Sequence, residues 1–180
     1  MSPEICPKCG GTNTSPATFS QFDCRDCQCK FGGDHHELIA NTNKIVLNTY
    51  QKGAASQNLT FTKTASGATI EGPFLCYYPD LPEIYISQQQ LQLLLADFYK
   101  LYVLDWKAEY QLVAAPENFE SVFGWDLKIM INHQDTVISR GRDLYPPYWT
   151  GLMELFTHFG LPNIGNALGQ NFLQLQVQSH

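Results

Sequence analysis

Four cysteines near the start of the chain have the spacing of a metal site. Cys6 and Cys9 form one Cys-x-x-Cys pair, Cys24 and Cys27 form a second, and 14 residues separate the two pairs. Two such pairs can present four thiolates to a single tetrahedral ion, which is the ligand set of a structural zinc centre. The sequence therefore predicts one Zn²⁺ held by Cys6, Cys9, Cys24 and Cys27.

Other uses of these cysteines are less consistent with the spacing. Cys29 is the alternative to Cys27, which is preferred because it repeats the two-residue gap of the first pair. Iron could occupy the same four-thiolate cage. A thioredoxin-like motif needs one Cys-x-x-Cys at a βα junction, and disulfides need an oxidising compartment, so both are disfavoured. Gly10 allows the first loop to fold back, whereas Gln28 occupies the corresponding place after the second pair.

Residues 3–33 resemble a zinc ribbon. The resemblance is carried by the run Cys-Pro-Lys-Cys-Gly-Gly at 6–11, by Phe22 two residues before the second pair, and by Phe31 four residues after its last cysteine. Ribbons of this kind occur in transposases, transcription factors and many prokaryotic proteins. The resemblance implies a zinc-pinned β-hairpin with no open coordination position and hence no metal chemistry. Because so short a segment lacks a core of its own, metal binding should supply most of its folding free energy, on the order of 10–16 kcal/mol.

The 180 residues allow a small appendage and one ordinary domain. We predict a zinc ribbon over 1–33, a linker over 34–43 and an α+β domain over 44–180. The adjacent His35 and His36 lie in this linker and are expected to be solvated. No apolar run approaches the length of a membrane span, and no export signal precedes the first cysteine, so the sequence predicts a soluble, cytoplasmic protein.

Alternation of apolar and polar residues predicts most of the strands. A strand is expected over 45–50, a hairpin over 58–71, and a second hairpin formed by 125–131 and 136–139. Residues 102–104 and 110–113 are also strand-like. The tail alternates over 173–178 like an edge strand, although Ile164 and the apolar residues that follow it also suit a helix. Cys76 is interpreted as a small buried apolar residue.

Two helices are predicted to pack on this sheet. The first spans about 88–100, because Ser87 and Gln90 form a capping box. Its apolar stripe consists of Leu91, Leu94, Leu95, Phe98 and Leu101. The second helix follows Pro146-Pro147 and ends at Gly160. Its stripe consists of Trp149, Leu152, Met153, Phe156 and Phe159. Hairpins interrupted by single helices predict an α+β fold with a mainly antiparallel sheet.

A polar and aromatic segment over 139–149 is the second candidate site. Its candidate ligand or partner contacts are Arg140, Arg142, Asp143, Tyr145 and Trp149. Guanidinium groups bind phosphate bidentately, so these residues could line an anion or nucleotide pocket. In the other interpretation, Arg142 and Asp143 brace the loop while the aromatic residues pack beneath it. The segment also resembles a C-terminal segment of small uncharacterised bacterial α+β domains, a resemblance that implies no residue role.

The distribution of charge and the absence of common catalytic motifs indicate which classes of function the sequence favours. The net charge is −6, yet residues 1–33 are neutral, so they lack the cationic stripe expected of a nucleic-acid-binding ribbon. The chain has no phosphate-binding loop, no Gly-x-Ser-x-Gly elbow and no His-Glu-x-x-His motif, which disfavours an enzyme. The sequence therefore favours a non-catalytic protein-interaction or adaptor protein. The alternatives are a nucleic-acid-associated accessory factor using the ribbon, and a small-anion or nucleotide binder using 139–149.

Overall fold

The computed structural model describes residues 4–53, 56–72, 84–112, 117, 120–161 and 164. Two predictions fall outside these residues: the buried state of Cys76, and the choice between strand and helix for the tail at 173–178.

The N-terminal part forms a small three-stranded antiparallel sheet. Its strands are β1 (Thr14–Pro16), β2 (Gln21–Cys24) and β3 (Lys30–Gly32), in the order β1-β2-β3. Phe22 and Phe31 lie opposite each other on β2 and β3, and their rings stack with centroids 5.5 Å apart. The only buried apolar side chains in its cluster are Cys6, Cys24 and Phe31 among the described residues. This sheet therefore has almost no hydrophobic core of its own.

The rest of the chain is an α+β domain built on a seven-stranded sheet. Its strands are β4 (Thr42–Gln51), β5 (Gln57–Thr64), β6 (Gly67–Glu71), β7 (Ile84–Ser87), β8 (Glu109–Tyr110), β9 (Phe123–Ile131) and β10 (Asp135–Arg142). Their order is β7-β6-β5-β4-β9-β10-β8. Every pair is antiparallel except β8 with β10, which is parallel. Both predicted hairpins and the mainly antiparallel sheet are confirmed.

Three α-helices accompany this sheet within the described residues: α1 (His36–Asn41), α2 (Gln88–Tyr99) and α3 (Trp149–His158). The capping box is present, with Gln90 N donating to Ser87 Oγ and Ser87 N donating to Gln90 Oε1. Helices α2 and α3 are the two predicted ones, and they bury the predicted stripes except for Leu101 and Phe159, which lie beyond the helix ends and are partly buried. Helix α1 and the start of β4 occupy the segment predicted as a linker. No helix in the described part of the chain is both long and apolar enough to cross a membrane.

The strand expected at 102–104 is wrong. Tyr102 has a left-handed backbone, with φ of 54°, and residues Val103–Asp105 form a single 3₁₀ turn. The chain continues tightly from α2, since Tyr102 N donates to Tyr99 O and Asp105 N donates to Tyr102 O. Val103 is buried by this turn rather than by strand pairing. Of the described residues 110–112 of the strand expected at 110–113, only Tyr110 belongs to a strand, the two-residue β8.

The two faces of the large sheet have opposite character. The face that we call the inner face carries Ile45, Leu47, Leu127 and Ile129, all at most 1% exposed, and α2 and α3 cover it. Contacts such as Phe61 with Phe156 and Trp125 with Trp149, at 5.4 and 5.0 Å between ring centroids, join sheet and helix. The other face, which we call the outer face, is largely polar, and no described helix packs on it. Because successive side chains of a strand point to opposite faces, each outer residue is next in sequence to an inner one.

Gly141 allows the closest packing on the inner face. A Cβ atom at this position would lie 2.3 Å from Trp125 Nε1 and 2.4 Å from Leu144 O, the two atoms of a hydrogen bond. We therefore expect Gly141→Ala to lower the free energy of unfolding by about 1–3 kcal/mol. Gly124→Ala is the matched control on the neighbouring strand, because its nearest contact would be 3.5 Å. Urea unfolding followed by tryptophan fluorescence measures both, and equal effects would contradict the role of Gly141.

Candidate functional site

Two tight turns position the cysteines at one end of the small sheet. Gly10 N donates to Cys6 O, and Cys24 N donates to Cys29 O. Gly10 has φ of 75°, and Gln28, the corresponding residue after the second pair, has φ of 58°. A non-glycine residue in the left-handed backbone conformation raises the conformational free energy by about 1 kcal/mol. Gln28 therefore makes the second turn less favourable than glycine would. In the first turn Gly11 N also points at Cys9 Sγ, 3.4 Å away.

The four predicted sulfurs fit a tetrahedral ion. All four Sγ atoms of Cys6, Cys9, Cys24 and Cys27 lie within 4.8 Å of one another. Cys6 Sγ is 3.7 Å from Cys27 Sγ, and Cys9 Sγ is 3.6 Å from Cys24 Sγ. Zinc–sulfur bonds of about 2.3 Å in tetrahedral geometry place sulfurs about 3.8 Å apart. The four thiols could therefore hold a metal ion with little rearrangement.

Cys29 brings a fifth thiol to the edge of this cluster. Its Sγ lies 3.5 Å from Cys6 Sγ and 3.1 Å from Cys27 Sγ. It is not one of the four thiols that all lie within 4.8 Å of one another. All five described cysteines are free thiols. Cys29 is thus placed beside Cys27, as expected for a residue that could replace it or assist it.

Crowding of the thiols shifts their pKa values in opposite directions. Loss of water around the clustered sulfurs raises the pKa of Cys6 to about 11 and that of Cys9 to about 12. The hydrogen bond with Cys29 lowers the pKa of Cys27 to about 6. Without an ion, the cluster therefore does not carry four thiolates near neutral pH. A divalent cation would offset their repulsion and bind the thiolate forms.

Two tyrosines and one aspartate fasten the small sheet to the large domain. Tyr110 Oη donates to Pro7 O at 3.0 Å, and Tyr148 Oη donates to Ile5 O at 2.7 Å. Gly32 N donates to Asp105 Oδ2 at 2.9 Å. Burial raises the pKa of Tyr110 to about 12, which keeps its hydroxyl protonated as a donor. Sequence patterns gave no indication of these anchors, because each joins residues far apart in the chain.

The five candidate residues of 139–149 do not share one pocket. Arg140 and Arg142 are exposed on the outer face of β10. Asp143 is 3% exposed, and Trp149 is 5% exposed in the inner core, where Tyr145 packs against it with ring centroids 5.2 Å apart. Asp143 Oδ1 accepts from Val122 N at 2.9 Å and from Phe123 N at 2.8 Å. The bracing interpretation therefore describes Asp143 and the aromatic residues, while the arginines face solvent.

A groove separates the small sheet from the large domain. It has a volume of about 470 Å³ and is lined largely by aromatic and apolar side chains, including Phe19, Phe22, Ile39, Tyr99 and Tyr102. Phe19 is fully exposed, at the turn between β1 and β2. His35 is half-buried against Tyr99, with ring centroids 5.6 Å apart, whereas His36 is exposed. The expectation that both histidines are solvated thus holds only for His36.

Comparisons with protein-family models, with curated proteins and with solved structures find no significant match.

Proposed function

We propose that this protein is a non-catalytic adaptor in which a zinc ribbon is held rigidly on an α+β domain and a protein partner binds the groove between them. The four thiolates would be Cys6, Cys9, Cys24 and Cys27. Zinc bound by four thiolates has no open position, and its role is to supply folding free energy. The hydrogen bonds from Tyr110, Tyr148 and Gly32 would then fix the ribbon and define one wall of the groove.

The exposure of Phe19 is the observation that carries this proposal. Its whole ring is in contact with solvent, beside a groove that is lined by five other apolar or aromatic side chains. Aromatic residues that are exposed in this way are enriched among the residues that dominate binding energy at protein interfaces. The expected partner is a polypeptide segment that inserts an apolar or aromatic side chain beside Phe19.

Charge favours a protein partner over nucleic acid at this surface. Lys8, Arg25 and Lys30 are balanced by Glu4, Asp23 and Asp26 in the N-terminal part. Lys30 also lies 3.8 Å from Asp23, so its charge has a local partner. Phosphate contacts require unbalanced positive charge that displaces counterions. The ribbon surface offers no such excess.

We expect Phe19→Ser to weaken partner binding about 30-fold, the effect of removing an interface anchor worth about 2 kcal/mol. Affinity capture from the source lysate followed by mass spectrometry identifies the retained protein, and calorimetry with that protein gives the affinity. Leu93→Ser is the matched control, because Leu93 is 60% exposed on α2 and does not line the groove. Neither substitution should alter stability, since both side chains are already exposed.

Equal retention of the same proteins by the wild type, Phe19→Ser and Leu93→Ser would contradict the proposed surface. Failure of the wild type to retain any protein would contradict the adaptor function itself.

A further inference from the structure

A second surface, on the outer face of the large sheet, carries concentrated positive charge. Arg140 and Arg142 are two of only three arginines in the chain. They lie two positions apart on β10, so both side chains stand on the same face, with Cα atoms about 7 Å apart. Lys52 and Lys128 line the same groove, and among the described residues that line it Asp126 is the only carboxylate. This excess of positive charge occurs in a protein whose net charge is −6.

The two guanidinium groups have no internal partner in the described part of the chain. Asp126 lies directly opposite Arg140 on β9, yet its oxygens accept from other groups. Asn48 Nδ2 donates to Asp126 Oδ1 at 2.9 Å, and Tyr50 Oη donates to Asp126 Oδ2 at 2.6 Å. Lys128 Nζ lies 3.6 Å from the same carboxylate. Asp126 thus holds Tyr50 and Asn48 in place and leaves the arginines free to bind an external anion.

The floor of the groove is open because of a glycine. Gly124 lies between Arg142 on β10 and Tyr50 on β4 in the sheet register. With no side chain at Gly124, the space between the guanidinium groups and the Tyr50 ring is unfilled. The resulting groove has a volume of about 610 Å³, within the range of small-molecule sites. Tyr50 is 45% exposed, and its hydroxyl is fixed by Asp126, so its ring offers an oriented surface for a planar group.

We infer that this groove binds a small phosphate-bearing ligand of the nucleoside phosphate class. Two neighbouring guanidinium forks match the oxygens of a phosphate or diphosphate, which they can contact bidentately. Lys52 and Lys128 lie at the rim, where Glu120 and Asp126 respectively pair with them, so the uncompensated positive charge of the groove is that of the two arginines. The base would stack on Tyr50. This site is separate from the Phe19 groove and does not depend on the proposed adaptor function.

Isothermal titration of the intact protein with ADP, inorganic pyrophosphate and adenosine tests the inference. We expect saturable binding of one ADP, weaker binding of pyrophosphate, and no measurable binding of adenosine. Arg140→Gln and Arg142→Gln should each reduce the ADP affinity about tenfold or more, because each removes a charge-assisted contact. Lys100→Gln is the control, since it makes the same charge change at an exposed site on the opposite side of the sheet.

Three results would overturn the inference: no saturable binding of ADP or pyrophosphate at millimolar concentration, equal loss in Lys100→Gln, or tighter binding of a 12-nucleotide single strand that displaces ADP. The last result would assign the groove to nucleic acid instead. Phe19→Ser should bind ADP normally, so failure of this site and failure of the partner groove give different outcomes. Thermal denaturation of each variant without ligand confirms that it is folded.

Discussion

Removal of the metal is expected to unfold the N-terminal sheet while the seven-stranded sheet remains folded. Among the described residues of the small sheet's cluster, only Cys6, Cys24 and Phe31 are buried, which cannot offset the conformational entropy of ordering the segment. Metal binding, worth on the order of 10–16 kcal/mol in comparable peptides, would supply the difference. Elemental analysis should return one equivalent of zinc, and a strong chelator should remove the NMR signals of residues 4–33 from their folded positions while those of β4 and β9 persist.

Single cysteine variants decide which thiols are ligands. Cys24→Ser should lose the metal, because Cys24 is buried within the cluster and its sulfur lies 3.6 Å from that of Cys9. Cys27→Ser should also lose it, whereas Cys29→Ser should retain one equivalent. The reverse result for the last two variants would make Cys29 the fourth ligand. Persistence of a folded N-terminal sheet after complete chelation would contradict the structural role of the metal.

Asp143→Ala is expected to lower the free energy of unfolding by about 3–5 kcal/mol. Its Oδ1 accepts from Val122 N and Phe123 N, so the substitution leaves two donors at the start of β9 without their acceptor, each costing about 1–3 kcal/mol when buried. Asp143 also has φ of 55°, a conformation that alanine adopts at a cost of about 1 kcal/mol. Urea unfolding, with the slope checked for constancy, measures the change.

Asp143→Asn distinguishes the contribution of the two hydrogen bonds to stability from that of the carboxylate charge. Asparagine keeps an acceptor oxygen and tolerates the left-handed backbone, so we expect a change below about 1 kcal/mol. Asp143 Oδ2 has no hydrogen-bond partner among the described atoms, so losing the charge removes no contact there. If the asparagine variant is as unstable as the alanine variant, the carboxylate charge, rather than the acceptor geometry, stabilises this strand.

Local patterns predicted the elements that depend on neighbouring residues. The capping box at Ser87 and Gln90 and the hairpins at 58–71 and 125–139 were all found, because turns, caps and alternation act over a few positions. Cys-x-x-Cys spacing likewise brought Cys6 near Cys9 and Cys24 near Cys27. Residues 102–104 were an exception among local elements, because Val103 is buried by a turn in which Tyr102 packs against Phe31.

The positions of the candidate functional residues depended on contacts between residues that are far apart in the sequence. Tyr148 and Ile5 are 143 positions apart, and their hydrogen bond is one of those that join the small sheet to the large domain. The grouping of Arg140 with Asp143, Tyr145 and Trp149 looked sound in sequence, yet strand alternation and the burial of the following turn put them on opposite sides of the sheet.

The order of amino acids was therefore sufficient for the grouping of four cysteines, the main strands and the apolar face of each long helix, since these follow from short-range spacing. Tertiary structure decided which face of the sheet is covered, which tyrosines hold the small sheet, and which cations share a groove. The reason is physical: burial and charge pairing depend on side chains that only the folded backbone brings together.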